Sequence, residues 1–401
     1  MWHNESRVSK TMNSTSLPEL SIVMPCLNEA DTLAICIQKA QRSLREANID
    51  GEIIIADNGS TDGSIEIATN LGARVVPVSQ KGYGSALMGG IAAARRRYVL
   101  MGDADDSYDF LETPKFVEKL REGNALVQGC RLPSGRGRVL PGAMPPLHRW
   151  WGNPMFTFLV RWWFRAPIHD VYCGLRGFTK EHYESLDQRC TGMEFATEMI
   201  IKSSLNGARI AEVPITLHPD GRKAHAPHLK TFRDGWRTLR FFMMLSPRWL
   251  FLMPGLLLMF FGLIFSALLV AGTVRVGGFA FDVHTLLYAA MAIIIGFQAV
   301  AFALFSKMFA IGEGLLSEDP RLNRLFRYVT LETGLIVGGV LLLTGFGGTF
   351  YALGIWSGRD FGALDPFRVF RLVIPSATAI TLGSQVILSS FFMSILGLRR
   401  K

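Results

Sequence analysis

Apolar and polar positions follow two different textures along the chain. Up to about residue 245, short apolar runs alternate with amphipathic stretches; from Trp249 onward the apolar runs are long and nearly free of charge. In the first part, Leu20-Ser-Ile-Val-Met-Pro25, Gly51-Glu-Ile-Ile-Ile-Ala-Asp57, Ala73–Val78 and the run that ends at Asp103 read as buried strands, and Gln128-Gly-Cys-Arg131 ends another. Helical patterns lie between them: from Asn28-Glu-Ala-Asp31 to about Ala47, after the Asn58–Gly63 turn with Asp62 as a candidate cap, over Ser85–Ala94, and over 112–122. Such alternation predicts an α/β domain with a mostly parallel sheet and helices on both faces. In the second part, runs at about 249–272, 284–311, 333–356 and 370–396 each reach the ~20 residues needed to cross a bilayer. The expected organisation is a disordered polar tail (1–18), an α/β domain (19–217), an amphipathic membrane-interface segment (218–248) and a transmembrane domain (249–401).

The chemistry-bearing residues gather where the strands end. Three predicted strands close on Asn28/Glu29, Asp57 and the triplet Asp103, Asp105, Asp106, and parallel strands bring these groups to one edge of the sheet. Open α/β sheets bind ligands at that carboxyl edge. Asp103 and Asp105, two residues apart, point the same way if the extended geometry continues past the strand. Two adjacent carboxylates repel unless a cation shares them, and Mg2+ or Mn2+ holding a diphosphate would supply that charge. An isolated Asp-X-Asp reads as readily as an acidic turn capping the helix at 112–122; the partner strand ends argue against that here. Lys81-Gly-Tyr-Gly84 reads either as a loop with amides facing phosphate or as a plain turn.

Pro25-Cys-Leu-Asn-Glu29, Asp57-Asn-Gly-Ser-Thr-Asp62 and Asp103-Ala-Asp105 together resemble the nucleotide-sugar signatures of the family-2 inverting glycosyltransferases. Within these they are most similar to the dolichol-phosphate mannose and polyprenyl-phosphate glucose synthases, over roughly residues 19–245. The resemblance implies a glycosyltransferase-A fold and inverting, metal-dependent transfer of mannose or glucose from GDP-mannose or UDP-glucose to a polyprenyl or dolichyl monophosphate. It further implies that Pro25, Asn28 and Glu29 line the nucleotide pocket, that Asp57 holds base or ribose, that Asp103 contacts the donor, and that Asp105 binds the metal, with Asp103 beside it. Asp106 departs from the family pattern and has no assigned role. Lys81 joins the donor-binding set. Arg131 leads the candidates for the acceptor phosphate, with Arg136 and Arg138 behind it, because guanidinium forks match phosphate oxygens. His169-Asp170-Val-Tyr-Cys-Gly-Leu-Arg176 resembles the segment that closes the active site in these synthases; Asp170 and Arg176 read equally as a structural pair. Met193-Glu-Phe-Ala-Thr-Glu198 opens an amphipathic helix with Glu194 and Glu198 on one face, one reaching the donor and the other solvated.

Composition narrows the alternatives. The formal net charge of +9 suits nucleic acid or anionic lipid, but the basic residues favour lipid: Arg237, Arg240 and Arg248 alternate with Trp236, Leu239, Phe241 and Phe242 just before the first long apolar run. Arg149-Trp-Trp and Arg161-Trp-Trp-Phe-Arg165 read as an aromatic core helix or as a membrane-water interface. Five widely spaced cysteines without a CxxC pair fit a reduced compartment. His218, His225 and His228 have no cysteine or paired carboxylate at ligand spacing. No G-x-G-x-x-G follows the first strand, which excludes a Rossmann dehydrogenase. A processive polysaccharide synthase would carry Gln-x-x-Arg-Trp, but Pro146 and Phe158 precede the two Arg-Trp sites. A non-enzymatic membrane scaffold or lipid-binding protein would not need three acid-bearing strand ends. Four spans, with basic residues before the first, in the 307–327 loop and at Arg399-Arg-Lys401, predict an inner-membrane protein with catalytic domain and both termini cytoplasmic; Arg359, Arg368 and Arg371 weaken that asymmetry. Gly334, Gly338, Gly339 and Gly345 permit close helix packing and leave room for a homo-oligomer.

Overall fold

The computed structural model describes residues 19–222, 231–312, 324 and 328–398. The expected tail 1–18, His225, His228, Lys230, Arg321, Arg327 and Arg399-Arg-Lys401 lie outside the described residues, as do the side chains of Phe232 and Arg233. The chain divides into two compact units, Met1–Phe241 and Phe242–Lys401.

The first unit is built on a seven-stranded sheet. Its strands are β1 (Leu20–Cys26), β2 (Gly51–Asp57), β3 (Arg74–Pro77), β4 (Tyr98–Met101), β5 (Leu126–Cys130), β7 (Arg176–Thr179) and β8 (Ile210–Pro214), in the spatial order β3-β2-β1-β4-β7-β5-β8. A two-stranded parallel pair, β6 (Arg138–Val139) with β9 (Thr216–Leu217), lies beside it. The apolar runs form strands because both sheet faces are covered: Ile22, Val23, Met24 and Ile54 are fully buried. Helix α1 (Leu33–Glu46) shows the matching helical period, turning Leu33, Cys36, Ile37, Ala40 and Leu44 into the core. Further helices are α2 (Ser64–Asn70), α3 (Tyr83–Ala93), α4 (Thr113–Arg121), α5 (Asn153–Phe164), α6 (Lys180–Ser185) and α7 (Phe195–Leu205).

Two features of this sheet position the site. The chain runs outward from β1 to β2 and β3, then returns to place β4 on β1's other side, so the strand order reverses between β1 and β4. A crevice at such a reversal is the ligand site of open α/β sheets. The second feature is β7, which runs antiparallel between β4 and β5. Asp170 is bonded to Arg131 immediately beyond the carboxyl end of β5; the chain therefore enters β7 from that edge and can only run back. Helix α5 has two faces: Phe156, Val160 and Phe164 are buried, while Trp162, and Trp150 and Trp151 in the turn before it, are exposed. Helix α7 departs from the amphipathic expectation, because Phe195 through Ser203 are all buried.

Helix α8 (Thr231–Leu245) leads into the second unit, which holds four helices long and apolar enough to span a membrane: Arg248–Ala271, Val283–Gly312, Leu331–Ser357 and Pro366–Gly397. The corresponding helices are α9 (Met253–Ala271), α10 (Val283–Gly312), α11 (Leu331–Ser357) and α12 (Pro366–Leu398). Helix α9 packs on α10, α11 on α12, and α10 on α12. The contacts are backbone-close where glycine allows it: a Cβ on Gly296 would lie 2.6 Å from the carbonyl of Gly255, and one on Gly383 2.8 Å from that of Gly338. Gly334 and Gly345 also face α12, but Gly339 meets nothing within 4 Å and takes no part. Thr344, Ser376, Thr378 and Ser390 donate to carbonyls one turn back, which satisfies their hydroxyls without water. A hairpin, β10 (Val274–Val276) and β11 (Phe279–Phe281), joins α9 to α10, and Arg371 at the start of α12 binds Asp282 at 2.7 Å just beyond it.

Candidate active site

A cavity of about 460 Å³ opens at the carboxyl ends of β1, β2 and β4. Each wall follows from a local break in the chain. Asn28 adopts φ 59°, ending the β1 direction, and the next residues lay Glu29 against the cavity. After β2, Asp57 folds its carboxylate onto the amides of Gly59 and Ser60, leaving Asn58 as the wall residue. Asn58 accepts from Gly82 N–H and donates to the carbonyls of Val78 and Gln80, so one side chain shapes the Lys81-Gly82 loop. Lys81 in turn donates to the Asn58 carbonyl. Gly82 and Gly84 are required by packing: a Cβ on either would lie 2.4 Å from the backbone carbonyl of Thr191 or Cys190. The amides of Gly82 and Ser85 are already bonded, to Asn58 and Thr191, which removes them from any phosphate cradle.

The acidic wall comes from the loop beyond β4. The strand stops at Met101, so the extended geometry does not reach Asp105, yet Asp103 and Asp105 still face the same cavity. Thr32 Oγ1 donates to the Ala104 carbonyl at 2.7 Å and ties this loop to the one beyond β1. Asp103 Oδ1 accepts from the Tyr83 hydroxyl at 2.8 Å. Burial, and then the charge of Asp105, push the Asp103 carboxyl up to about 6, against the pull of Tyr83, Arg222 and Arg131. Asp105 uses Oδ1 for the amide and hydroxyl of Ser107 and Oδ2 for Arg222, at 3.0 Å. Arg222 also binds Glu29 Oε1 at 3.0 Å and Asp220 at 2.6 Å. Burial opposes its charge, but the carboxylates of Asp220, Asp105 and Glu29 outweigh that and hold its pKa up. Asp106 turns away: with φ 58° it pairs with Lys39 of α1 at 2.8 Å, a structural anchor for the acid left unassigned by its position in sequence.

Other expected residues sit around this centre. Pro25, Glu29, Lys81, Asp103 and Asp105 line the cavity. Asn28 and Asp57 stand behind it, Asn28 accepting from Thr61 N–H. Arg131 and Asp170 form a buried two-pronged ion pair, with Nε–Oδ2 2.7 Å and Nη2–Oδ1 2.9 Å. This corrects the pairing of Asp170 with Arg176. The Arg176 guanidinium instead donates to the carbonyls of Cys173 and Ala196, and burial pulls its pKa down. Arg136, in the turn beyond Arg131, and Arg138, at the start of β6, are exposed. Glu194 and Glu198 also depart from expectation. Glu198 is buried, binding Lys202 and the amides of Arg189 and Cys190, whereas Glu194 pairs with Arg237 at the cavity wall. Sequence reasoning gave no role to Thr32, Tyr83 or Arg222; the local signals were Lys81-Gly-Tyr-Gly84 for Tyr83 and Gly221-Arg222, before α8, for Arg222.

Known proteins resemble this chain in both units. The chain matches the glycosyl transferase family 2 profile over residues 21–187 and the glycosyltransferase family 2 C-terminal transmembrane region over residues 304–397. It is 37% identical over 398 residues to the low-salt glycan biosynthesis hexosyltransferase Agl6 of Haloferax volcanii, covering 98% of this chain and 93% of that one. The dolichyl-phosphate hexose transferase of the same organism is 31% identical over 227 residues, covering 56% of this chain and 92% of the relative. Among solved structures, glucosyl-3-phosphoglycerate synthase from Mycobacterium tuberculosis, in complex with Mn2+, uridine diphosphate and glucosyl-3-phosphoglycerate, is 22% identical. It has a TM-score of 0.45 and covers 56% of this chain and 79% of that chain.

Proposed function

The chain belongs to glycosyltransferase family 2, and from that premise we propose that it transfers a hexose, with inversion, from a nucleoside diphosphate sugar to a polyprenyl monophosphate. The observation that carries this reading is the cavity at the strand-order reversal, with Asp103 and Asp105 on one wall and the cations of Lys81, Arg222 and Arg237 on others. The hexosyltransferase and dolichyl-phosphate hexose transferase among its relatives support the sugar and the acceptor class. Four membrane-length helices suit an acceptor with a long apolar tail. Exposed Trp150, Trp151 and Trp162 suit an interfacial position. In this reading the catalytic domain and both termini are cytoplasmic.

The donor set fits a hard divalent cation. Asp103 and Asp105 offer oxygen only and line the same cavity, the donor type that hard cations take. Among the described residues no group of three or more His, Cys, Asp or Glu could hold a metal unaided. Two carboxylates, with substrate phosphates and water completing the shell, are the coordination habit of Mg2+. Mg2+ or Mn2+ held there would neutralise the departing diphosphate.

The chain's own residues do the rest. Asn58, Pro25 and Glu29 shape the nucleoside pocket, Asp57 and Asn28 brace its loops, and Lys81 meets the diphosphate. Tyr83 orients Asp103 through its hydroxyl. An acceptor monophosphate is largely dianionic at neutral pH, so alignment matters more than a strong base. Exposed Arg136 and Arg138, which form no ion pair among the described residues, receive that phosphate. Arg131, locked to Asp170, holds the loop that presents them. Arg176 braces the start of α7 beside Gly192 and Met193 on the cavity wall.

The test is a transfer assay with membranes containing the full chain, polyprenyl phosphate and radiolabelled GDP-mannose, UDP-glucose and other sugar nucleotides. One donor should label the lipid, EDTA should stop labelling, and Asp105→Ala should abolish it in a folded protein. Full activity of that variant without metal would sink the mechanism, and failure to bind any sugar nucleotide would favour a non-enzymatic lipid-binding role.

A further inference from the structure

Resting on that reading of the site, we propose that Arg222 is the resident counter-cation of the Asp105 carboxylate. It must yield its place when a divalent ion arrives, and it then turns to the diphosphate. Metal and nucleotide binding are thereby coupled through one side chain.

The argument begins with the two oxygens of Asp105. Oδ1 is committed to the turn, accepting from both Ser107 N and Ser107 Oγ, at 3.0 and 2.6 Å. Oδ2 is therefore the atom a metal reaches without breaking that turn, and Oδ2 holds Arg222 Nη2 at 3.0 Å. The Arg222 side chain is only 11% exposed and reaches Glu29 with its other terminal nitrogen. Metal and guanidinium thus compete for one oxygen, and like charges at such range repel.

The backbone shows why the arginine stays within reach once it lets go. Gly221 N donates to the Asp105 carbonyl at 3.0 Å, and a Cβ on Gly221 would lie 2.9 Å from Thr32 Cγ2. Arg222 N is held by Asp220 Oδ1 at 2.9 Å. Gly221 docks the main chain on the Asp105 loop without the guanidinium, and Asp220 holds both Arg222 N and the guanidinium nitrogens Nε and Nη2, so the side chain can leave Asp105 while its base stays fixed. Its planar fork suits phosphate oxygens. A metal ion alone displaces Arg222 and gives it nothing in return; a metal ion with a diphosphate supplies a new partner. That difference is positive coupling between the two ligands.

The experiment uses the full chain in detergent, with Mn2+ binding read by electron paramagnetic resonance of the free ion in the absence of nucleotide. GDP and UDP binding are read separately by calorimetry at saturating Mn2+. In Arg222→Gln, Mn2+ alone should bind roughly tenfold more tightly than in the parent, while nucleoside diphosphate should bind roughly tenfold more weakly. Opposite signs are the signature, since a merely structural arginine would weaken both. Arg222→Lys keeps the charge and should fall nearer the parent for Mn2+ alone. Adding Asp105→Asn to Arg222→Gln should abolish the gain, and thermal unfolding checks that each variant is folded. Equal or weaker Mn2+ binding by folded Arg222→Gln overturns the proposal alone. Absence of Mn2+ and nucleotide binding in both the parent and the variant overturns the site reading and the proposal with it.

Discussion

Asp103 is placed under two opposed demands. A cation-binding carboxylate must be ionised at neutral pH, yet burial and Asp105 raise its pKa to about 6, above the ordinary 3.8. Between about 4 and 6 the folded chain therefore holds this proton more tightly than the unfolded chain. The Asp103 contribution to stability is present at low pH and lost as pH rises through that window. Asp103→Asn keeps an acceptor for the Tyr83 hydroxyl and removes the charge. It should be inactive at every pH, yet at about pH 7.5 it should melt above the parent by a few degrees. That advantage should shrink as pH falls through about 6 toward 4. Paired melting curves at the two pH values decide the matter, and a lower melting point at about pH 7.5 would falsify the charge argument. The cost of the buried acid is one a catalytic site accepts for a charge held ready.

At the scale of elements, the same glycine chemistry does two jobs. In α3, Gly82 and Gly84 let the helix start press against the Cys190–Thr191 backbone; between α9 and α10, Gly255 and Gly296 let two helices touch backbone to backbone. Gly296→Leu should force α9 and α10 apart and cost about 1–3 kcal/mol as overpacking. Gly339→Leu, with nothing within 4 Å, should be close to neutral. Loss of helical circular dichroism on heating in detergent compares the two, and equal melting would remove the packing claim. Elements were also where the sequence was most readable. Strand β2 and the four long apolar helices lie within a few residues of the apolar runs read from the sequence, because period and length are local properties. The direction of β7 was not readable, since it depends on a contact between Arg131 and Asp170 formed across 39 residues. Arg222 was missed for the same reason: it meets Asp105 across 117 positions, and no periodic pattern encodes a pairing of that kind. Asp103 and Asp105 could be found because they follow the end of an apolar run; the bonds of Tyr83 to Asp103 and of Thr32 to Ala104 could not, because each residue looks like ordinary helix-start chemistry.

For the molecule as a whole, the placement of β7 bears on the order in which the protein is made. Strand β4 carries the acidic loop, and its second edge is closed by Arg176–Thr179, residues that follow Tyr98–Met101 by more than 70 positions. A nascent chain that has emerged only as far as Phe164 leaves both β4 and β5 with unpaired edges, at the stage when open strands invite association with other chains. Parallel pairing among β1, β2 and β3 can form early, but the site-bearing half of the sheet must wait. Ribosome-bound chains of increasing length, probed by limited proteolysis, should therefore stay sensitive around residues 98–130 until β7 has emerged, then gain protection in one step. Gradual protection before that point would mean that β4 has another early partner. The four membrane-length helices come later still, so the first unit must settle its own edges before the second has been synthesised.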